Sequence, residues 1–309
     1  MSLLVLLSCS KPVTPKVKLA LNQWPGYEFL YLAKEKGFFE KHGLNIEIVE
    51  TASLAETKRL FQQGKANAMA STMIESVMLA SNSRSAVTLA LITDYSNGGD
   101  RIVANVPITD IKQLKGKRVG VELASLGIFV LYKALQKSKI PLSEIDYRNV
   151  EQLDAIAAFK ANQIDAYVTY PPYSSLLVRE FDLSTIFDSA DIPNTILDVV
   201  TVASDVIQQD PLWIKRFHTV WQQVLDYEKR NPLEAHNIMA SRQGITGAEF
   251  KASLQDLILI PAQQQLTTLQ SPAVSQNITE VCTILTETKI INQNCTELER
   301  KLLIAESYD

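Results

Sequence analysis

Residues 16–50 read KVKLALNQWPGYEFLYLAKEKGFFEKHGLNIEIVE, and this stretch decides the fold class. Lys16 to Leu21 alternates polar and apolar residues, the period of a half-buried strand. Asn22-Gln23-Trp24-Pro25-Gly26 breaks the alternation. From Glu28 to Lys36 the apolar residues Phe29, Leu32 and Ala33 share one helical face, and Gly37 follows as a C-cap. Leu44 to Glu50 alternates cleanly again. Strand, helix and strand at such short spacing describe a sheet with covering helices.

The rhythm continues along the chain. Ser53 with Glu56 opens a helix as a capping box, and Gly64 stops it. A strand over 66–70, a helix over 73–80 and a strand over 86–92 complete a first block. A second block repeats it: strands over 101–104, 117–121, 146–150 and 165–169, with helices over 125–137 and 153–161. A β-prone strand over 197–202 follows, and beyond it the chain turns helical over 215–230, 232–239, 248–257 and 275–287. Two similar α/β blocks mean two lobes. The expected division is 1–15 as signal and tether, 16–96 plus 200–309 as lobe one, and 97–199 as lobe two. Two crossing strands form a hinge, and the helical tail packs on lobe one.

Composition narrows the function classes. The 309 residues are 46% hydrophobic and 21% charged, which excludes a disordered chain. The net charge is -4, without the basic excess or stripe of a nucleic-acid surface. The three histidines, His42, His218 and His236, share no metal-ligand spacing, so no metal is expected. No Ser-His-Asp order, glycine-rich phosphate loop or paired-carboxylate motif marks an enzyme, and no cofactor is expected. Beyond the first residues no run of roughly 20 apolar residues can span a bilayer.

The first ten residues end a short apolar run in Leu6-Leu7-Ser8-Cys9, which resembles a bacterial lipobox with Cys9 as the lipidated residue. Lys11, Pro12, Thr14 and Pro15 then read as a tether. The alternative is an apolar N-terminus arising by chance. With Cys9 lipidated, Cys282 and Cys295 remain as an even pair in an oxidising compartment; they are either bridged, pinning a late loop, or two free thiols.

Four further segments point to one family. These are Trp24-Pro25-Gly26 with LYLAKEKGFFEKHGL over 30–44, DYSNGGD over 94–100, LKGKRVGV over 114–121, and AFKANQIDA over 158–166. As a set, covering most of 17–203, they resemble the substrate-binding proteins of ABC importers for nitrate, sulfonate, taurine and thiamine-pyrimidine precursors. The resemblance implies a two-lobed periplasmic-binding-protein fold of type II, each lobe a mixed sheet flanked by helices. It implies a monomer that closes on a small-molecule solute and delivers it to an ABC permease and ATPase. Such a protein stands in the periplasm or at the cell surface, held to the membrane by the lipid at Cys9 alone. A sensory protein docking to a receptor kinase would share every feature. Fungal thiamine-pyrimidine-synthesis enzymes resemble the same regions but carry a cysteine-rich run that this chain lacks.

In open α/β sheets ligands sit beyond the carboxyl ends of strands, and the chemically interesting residues fall there. Gln23 and Trp24 follow the first strand, Ser71 and Thr72 the third, and Asp94 and Tyr95 the fourth. Glu122 and Ser125 follow the Gly120-Val121 strand, Tyr170 follows the 165–169 strand, and Asp100 and Asp198 lie at the crossovers. Trp24 offers an aromatic face. Ser71 and Thr72 offer hydroxyls or cap the next helix. Ser125 opens a helix and suits an anionic end. Tyr170 walls the cleft. The family often shows Trp then Glu where Tyr170 and Pro171 stand here, so an acid it holds at that point is missing. Asp94, Asp100, Glu122 and Asp198, if they converge, favour a positive or amine-bearing solute; the alternative is that Asp100 and Asp198 cap hinge turns.

Overall fold

The computed structural model describes residues 14–82 and 86–304. Cys9 and its tether to residue 13 lie outside them. The chain builds β1 (Lys16–Leu21), β2 (Asn45–Glu50), β3 (Ala68–Thr72) and β4 (Val87–Ser96) before crossing to a second sheet. That sheet holds β5 (Arg101–Asn105), β6 (Arg118–Val121), β7 (Asp146–Asn149), β8 (Ala166–Thr169) and β9 (Leu183–Asp188). The chain then returns as β10 (Leu197–Ala203) and adds β11 (Leu257–Leu259) and β12 (Leu302–Ile304).

The larger sheet runs β11-β4-β10-β3-β1-β2, with β12 on β4, and the smaller runs β7-β6-β8-β5-β9. β1 is parallel to β2 and β3, whereas β10 lies antiparallel between β3 and β4. This insertion is what the α/β blocks alone do not display, and it has a chemical consequence. The register sets Asp198 directly opposite Asp94 on one side and Thr72 on the other. β4 is buried at nearly every position, as a strand covered on both faces must be.

Two expectations need correction. The boundary at 199/200 falls inside β10, whose pairing to β4 begins at Leu197, so the sheet membership changes over 189–196 instead. The tail is also less one-sided than expected. Trp213–Arg230 does pack on lobe one, with Phe29 and Trp221 edge to face at 5.8 Å and Phe39 stacked on Phe217 at 6.0 Å. The helix Pro272–Glu287, however, reaches lobe two, where Glu280 pairs with Lys133 at 2.5 Å and Glu287 accepts from Tyr132. β11 and β12, three residues each, are too short to show a period, and β9 does not alternate cleanly, so all three are absent from the sequence reading.

Cys282 and Cys295 are joined by a disulfide, with their Cα atoms 5.7 Å apart. The bond ties the helix Pro272–Glu287 to the helix Cys295–Lys301, which leads into β12 on the edge of β4. Closing a loop of this length restricts the unfolded chain by roughly 3 kcal/mol in the chain-entropy model. Cys282→Ser is therefore expected to lower unfolding stability by about that amount in urea titrations, and an unchanged midpoint would contradict it.

Candidate functional site

Between the two sheets, Asn22, Trp24, Tyr27, Leu54 and Thr72 of lobe one meet Leu126 and Tyr170 of lobe two, with Asp100 at the outgoing crossing and Asp198 at the start of β10. The cavity they enclose holds about 10 Å³ of free space, room for roughly one water molecule. The lobes are closed on each other. Tyr173 donates to the Ala52 carbonyl, and Lys58 Nζ reaches the Ala124 carbonyl at 2.6 Å. Both bonds join one lobe to the other.

The walls explain the glycines in the recognised segments. Trp24 is buried, and its indole N–H donates to Asp94 Oδ1 at 3.2 Å. Its ring lies so close to Gly99 that a Cβ there would stand 2.5 Å from a ring carbon. A Cβ on Gly26 would fall 1.9 Å from Asp94 Oδ2. Neither position has room for a side chain. Tyr170 meets Trp24 edge to face at 6.3 Å, and Tyr27 tilts against Trp24 at 6.4 Å. The cavity thus has an aromatic wall drawn from both lobes.

The opposite character comes from carboxyl groups. Asp94 is fully buried, Asp100 and Asp198 are 2% exposed, and each leaves its Oδ2 without a hydrogen-bond partner. Asp198 Oδ1 accepts from the Tyr27 hydroxyl. Among the described residues no cation forms an ion pair with any of the three. Burial pushes Asp94 and Asp100 up to about 7. Burial, then the neighbouring charges of Asp94 and Asp100, raise Asp198 well above the carboxylate range. Glu122 is raised to about 8 by burial and by Glu151 beside it, and neither of its oxygens makes a well-formed hydrogen bond. Among the described residues no cluster of His, Cys, Asp or Glu is arranged to hold a metal ion.

The structure brings Trp24, Thr72, Asp100, Tyr170 and Asp198 to the cavity, with Asp94 behind Trp24. It separates the others. Gln23 turns away and donates to the Arg242 carbonyl of the tail at 2.6 Å. Ser71 is buried beside the cavity-lining Thr72, its hydroxyl on the Thr72 carbonyl at 3.4 Å. Tyr95, one residue past Asp94, points to the other face of its strand and packs on the core. Glu122 sits between the lobes against Ser53 and Glu151, outside the cavity. Ser125 gives its hydroxyl to Glu75 at 2.7 Å instead of leaving it for a solute. The sequence reading misses Asn22, Tyr27, Leu54, Leu126 and Glu75. Asn22 and Tyr27 flank the Gln23-Trp24 turn and had a positional signal. Glu75 had one too, since Thr72-Met73-Ile74-Glu75 has the spacing of a capping box.

The NMT1/THI5 like family model matches residues 24–235, well over half of the chain. The chain belongs to the NMT1/THI5-like family. A binding protein of Brucella abortus is 23% identical over 241 residues, covering 73% of this chain and 70% of that one. A yeast 4-amino-5-hydroxymethyl-2-methylpyrimidine phosphate synthase is 29% identical over 110 residues, 35% of this chain and 32% of the enzyme. Among solved structures, the periplasmic aliphatic sulphonate binding protein of Escherichia coli superposes with a TM-score of 0.77 at 15% identity, covering 93% of this chain and 97% of that one. The fold is that of the periplasmic binding proteins, and it occurs in an enzyme as well as in binders, since the desulfurization enzyme DSZB superposes with a TM-score of 0.67 at 13% identity, covering 95% of this chain and 97% of that one.

The buried acids set a sign for stability against pH. Unfolded, these carboxyls titrate near 4. Folded, Asp94 and Asp100 hold protons up to about 7 and Glu122 up to about 8, and Asp198 too is raised well above the carboxylate range. Between those limits the native state binds more protons, so stability falls as pH rises. His218, lowered to about 4 by burial, acts oppositely, but only below about 6.5. From pH 6.5 to 8.5 the melting temperature of the solute-free protein is expected to drop by several degrees. The drop is expected to shrink in Asp198→Asn, and a flat profile would contradict the assignment.

Proposed function

We propose that the chain is an extracytoplasmic solute-binding protein that closes on a small organic solute bearing a positive or amine end and delivers it to an ABC importer. One observation carries this reading: Asp100 and Asp198 are buried at one cavity, with Asp94 behind its Trp24 wall, and among the described residues no cation pairs with any of them. An ammonium or amidinium group supplies the missing charge and donates to the orphan oxygens of Asp100 and Asp198. Trp24 and Tyr170 give it an aromatic flank, which suits a cation or a flat amino-substituted ring. The binding and periplasmic names of the relatives support a transport role, and the lipobox-like Leu6-Leu7-Ser8-Cys9 supports a lipid anchor outside the cytoplasm.

The mechanism follows from where the residues sit. The cavity is too small and too enclosed for a solute to enter as it stands, so the lobes part about the crossings over 97–100 and 189–196. The solute docks first against Trp24, Tyr27 and Asp198 of the larger lobe. Tyr170 and Leu126 then close over it from the other lobe. Closure is favoured only as far as the solute prefers the closed form, which requires contacts to both lobes.

Calorimetric titration of amines, zwitterions, sulfonates and nitrate tests the reading. Asp100→Asn and Asp198→Asn are each expected to weaken amine binding roughly tenfold to a hundredfold, the scale of one charge-assisted hydrogen bond. Glu35→Gln, on an exposed face, is expected to change nothing. Because Asp94 and Asp100 titrate near 7, a cation displaces protons on binding. Affinity is then expected to rise with pH up to about 8, with proton release visible as a buffer-dependent heat. Tight binding of a purely anionic solute, indifferent to both substitutions, would overturn the proposal. Mass spectrometry of solute released from the purified protein separates a carrier from an enzyme, since a carrier returns it unchanged.

A further inference from the structure

One carboxyl group in the cleft differs from all the others. Glu75 is fully buried, yet both of its oxygens are satisfied. It stands in the first turn of the helix Met73–Asn82. Its Oε2 accepts from the Thr72 backbone N–H at 3.1 Å and from the Thr72 hydroxyl. Thr72 Oγ1 in turn accepts from the Ile74 N–H at 3.1 Å. This half of the arrangement is an ordinary helix cap within lobe one.

The other half crosses the cleft. Glu75 Oε1 accepts from the Leu126 backbone N–H at 2.8 Å and from the Ser125 hydroxyl at 2.7 Å. These two groups open the helix Leu126–Lys137 of lobe two. Ser125 occupies the N-cap position of that helix but makes no side-chain cap of its own. Its hydroxyl is spent on Glu75 instead. The two helices therefore present their N-terminal ends, each carrying unpaired N–H groups and the positive end of a dipole, to one carboxylate between them. Lys58, whose Nζ lies on the Ala124 carbonyl, adds a positive group close by; burial lowers its pKa, and Glu75 and Glu122 act against that lowering.

We propose that Glu75 is the latch and built-in anion of the cleft. It fills, in the closed form, the place where the helix of lobe two would receive the anionic end of a solute. Part of the free energy of closure then comes from the protein itself. The same carboxylate is a specificity-determining group: it repels sulfonates and carboxylates from the helix start and leaves the acidic cavity beside it for a cation. The specificity half rests on the function proposed above, whereas the latch half does not.

The test therefore uses no amine. Compactness in solution is measured by small-angle scattering for the wild type, Glu75→Gln, Glu75→Ala and Ser125→Ala, and methanesulfonate and formate are then titrated in. Glu75→Ala is expected to be more open than the wild type. It is expected to be closed again, saturably, by either anion at concentrations at least about tenfold below any effect on the wild type. Glu75→Gln is expected to be intermediate. Ser125→Ala leaves the Thr72–Glu75 cap untouched, so it guards against a folding defect in lobe one, and it too is expected to be more open. If Glu75→Ala is as compact as the wild type, or folded but indifferent to both anions, the latch is wrong. If Ser125→Ala is as compact as the wild type, the cross-cleft bond does not hold the lobes. Failure of the amine titrations, by contrast, would leave all these outcomes standing.

Discussion

The structure turns on carboxyl groups held in a closed interior with no cation paired to them among the described residues. Burying a charge costs far more than burying an apolar group unless a partner is supplied. Here the topology enforces the crowding. β10 returns from the second lobe antiparallel between β3 and β4, which sets Asp198 opposite Asp94, and the crossing at Asp100 adds a third acid. The protein meets part of the cost by holding protons: burial lifts Asp94 and Asp100 to about 7 and raises Asp198 well above the carboxylate range. The rest is met by the Tyr27 and Trp24 donors.

Glu75 shows the other solution to the same problem. It has the same chemistry and the same depth, but four donors from two helix starts surround it. An anion at a helix N-terminus is stabilised by unpaired N–H groups and by the dipole. Asp94, Asp100 and Asp198 lie at strand ends, where no such array of donors exists. Identical residue types thus divide into a satisfied structural anion and a set of unsatisfied ones, and only the latter call for a cation.

The aromatic wall depends on close approach of backbone. Trp24 reaches Asp94 and Tyr170 because Gly26 and Gly99 leave no side chain in its way. An added methyl at either position meets a ring carbon or a carboxyl oxygen at well under contact distance. That ties the WPG turn and the NGG crossing, far apart in the chain, to one cavity.

The sequence by itself determined the alternating α/β order, the two blocks and the family likeness, because periods of two and about 3.6 and the glycine stops are local properties of the chain. It also placed Trp24, Thr72, Asp100, Tyr170 and Asp198 at strand ends, where they do line the cavity. Only the tertiary structure decided which of two adjacent residues faces it. Thr72 does and Ser71 does not, and Asp94 turns inward while Tyr95 turns out, because a strand alternates its faces and the register fixes which one is inner. Nor could spacing show that Glu75 would leave its own helix cap half free and satisfy Ser125 across the cleft. That bond joins residues 50 apart in the chain and exists only once two lobes have folded and met.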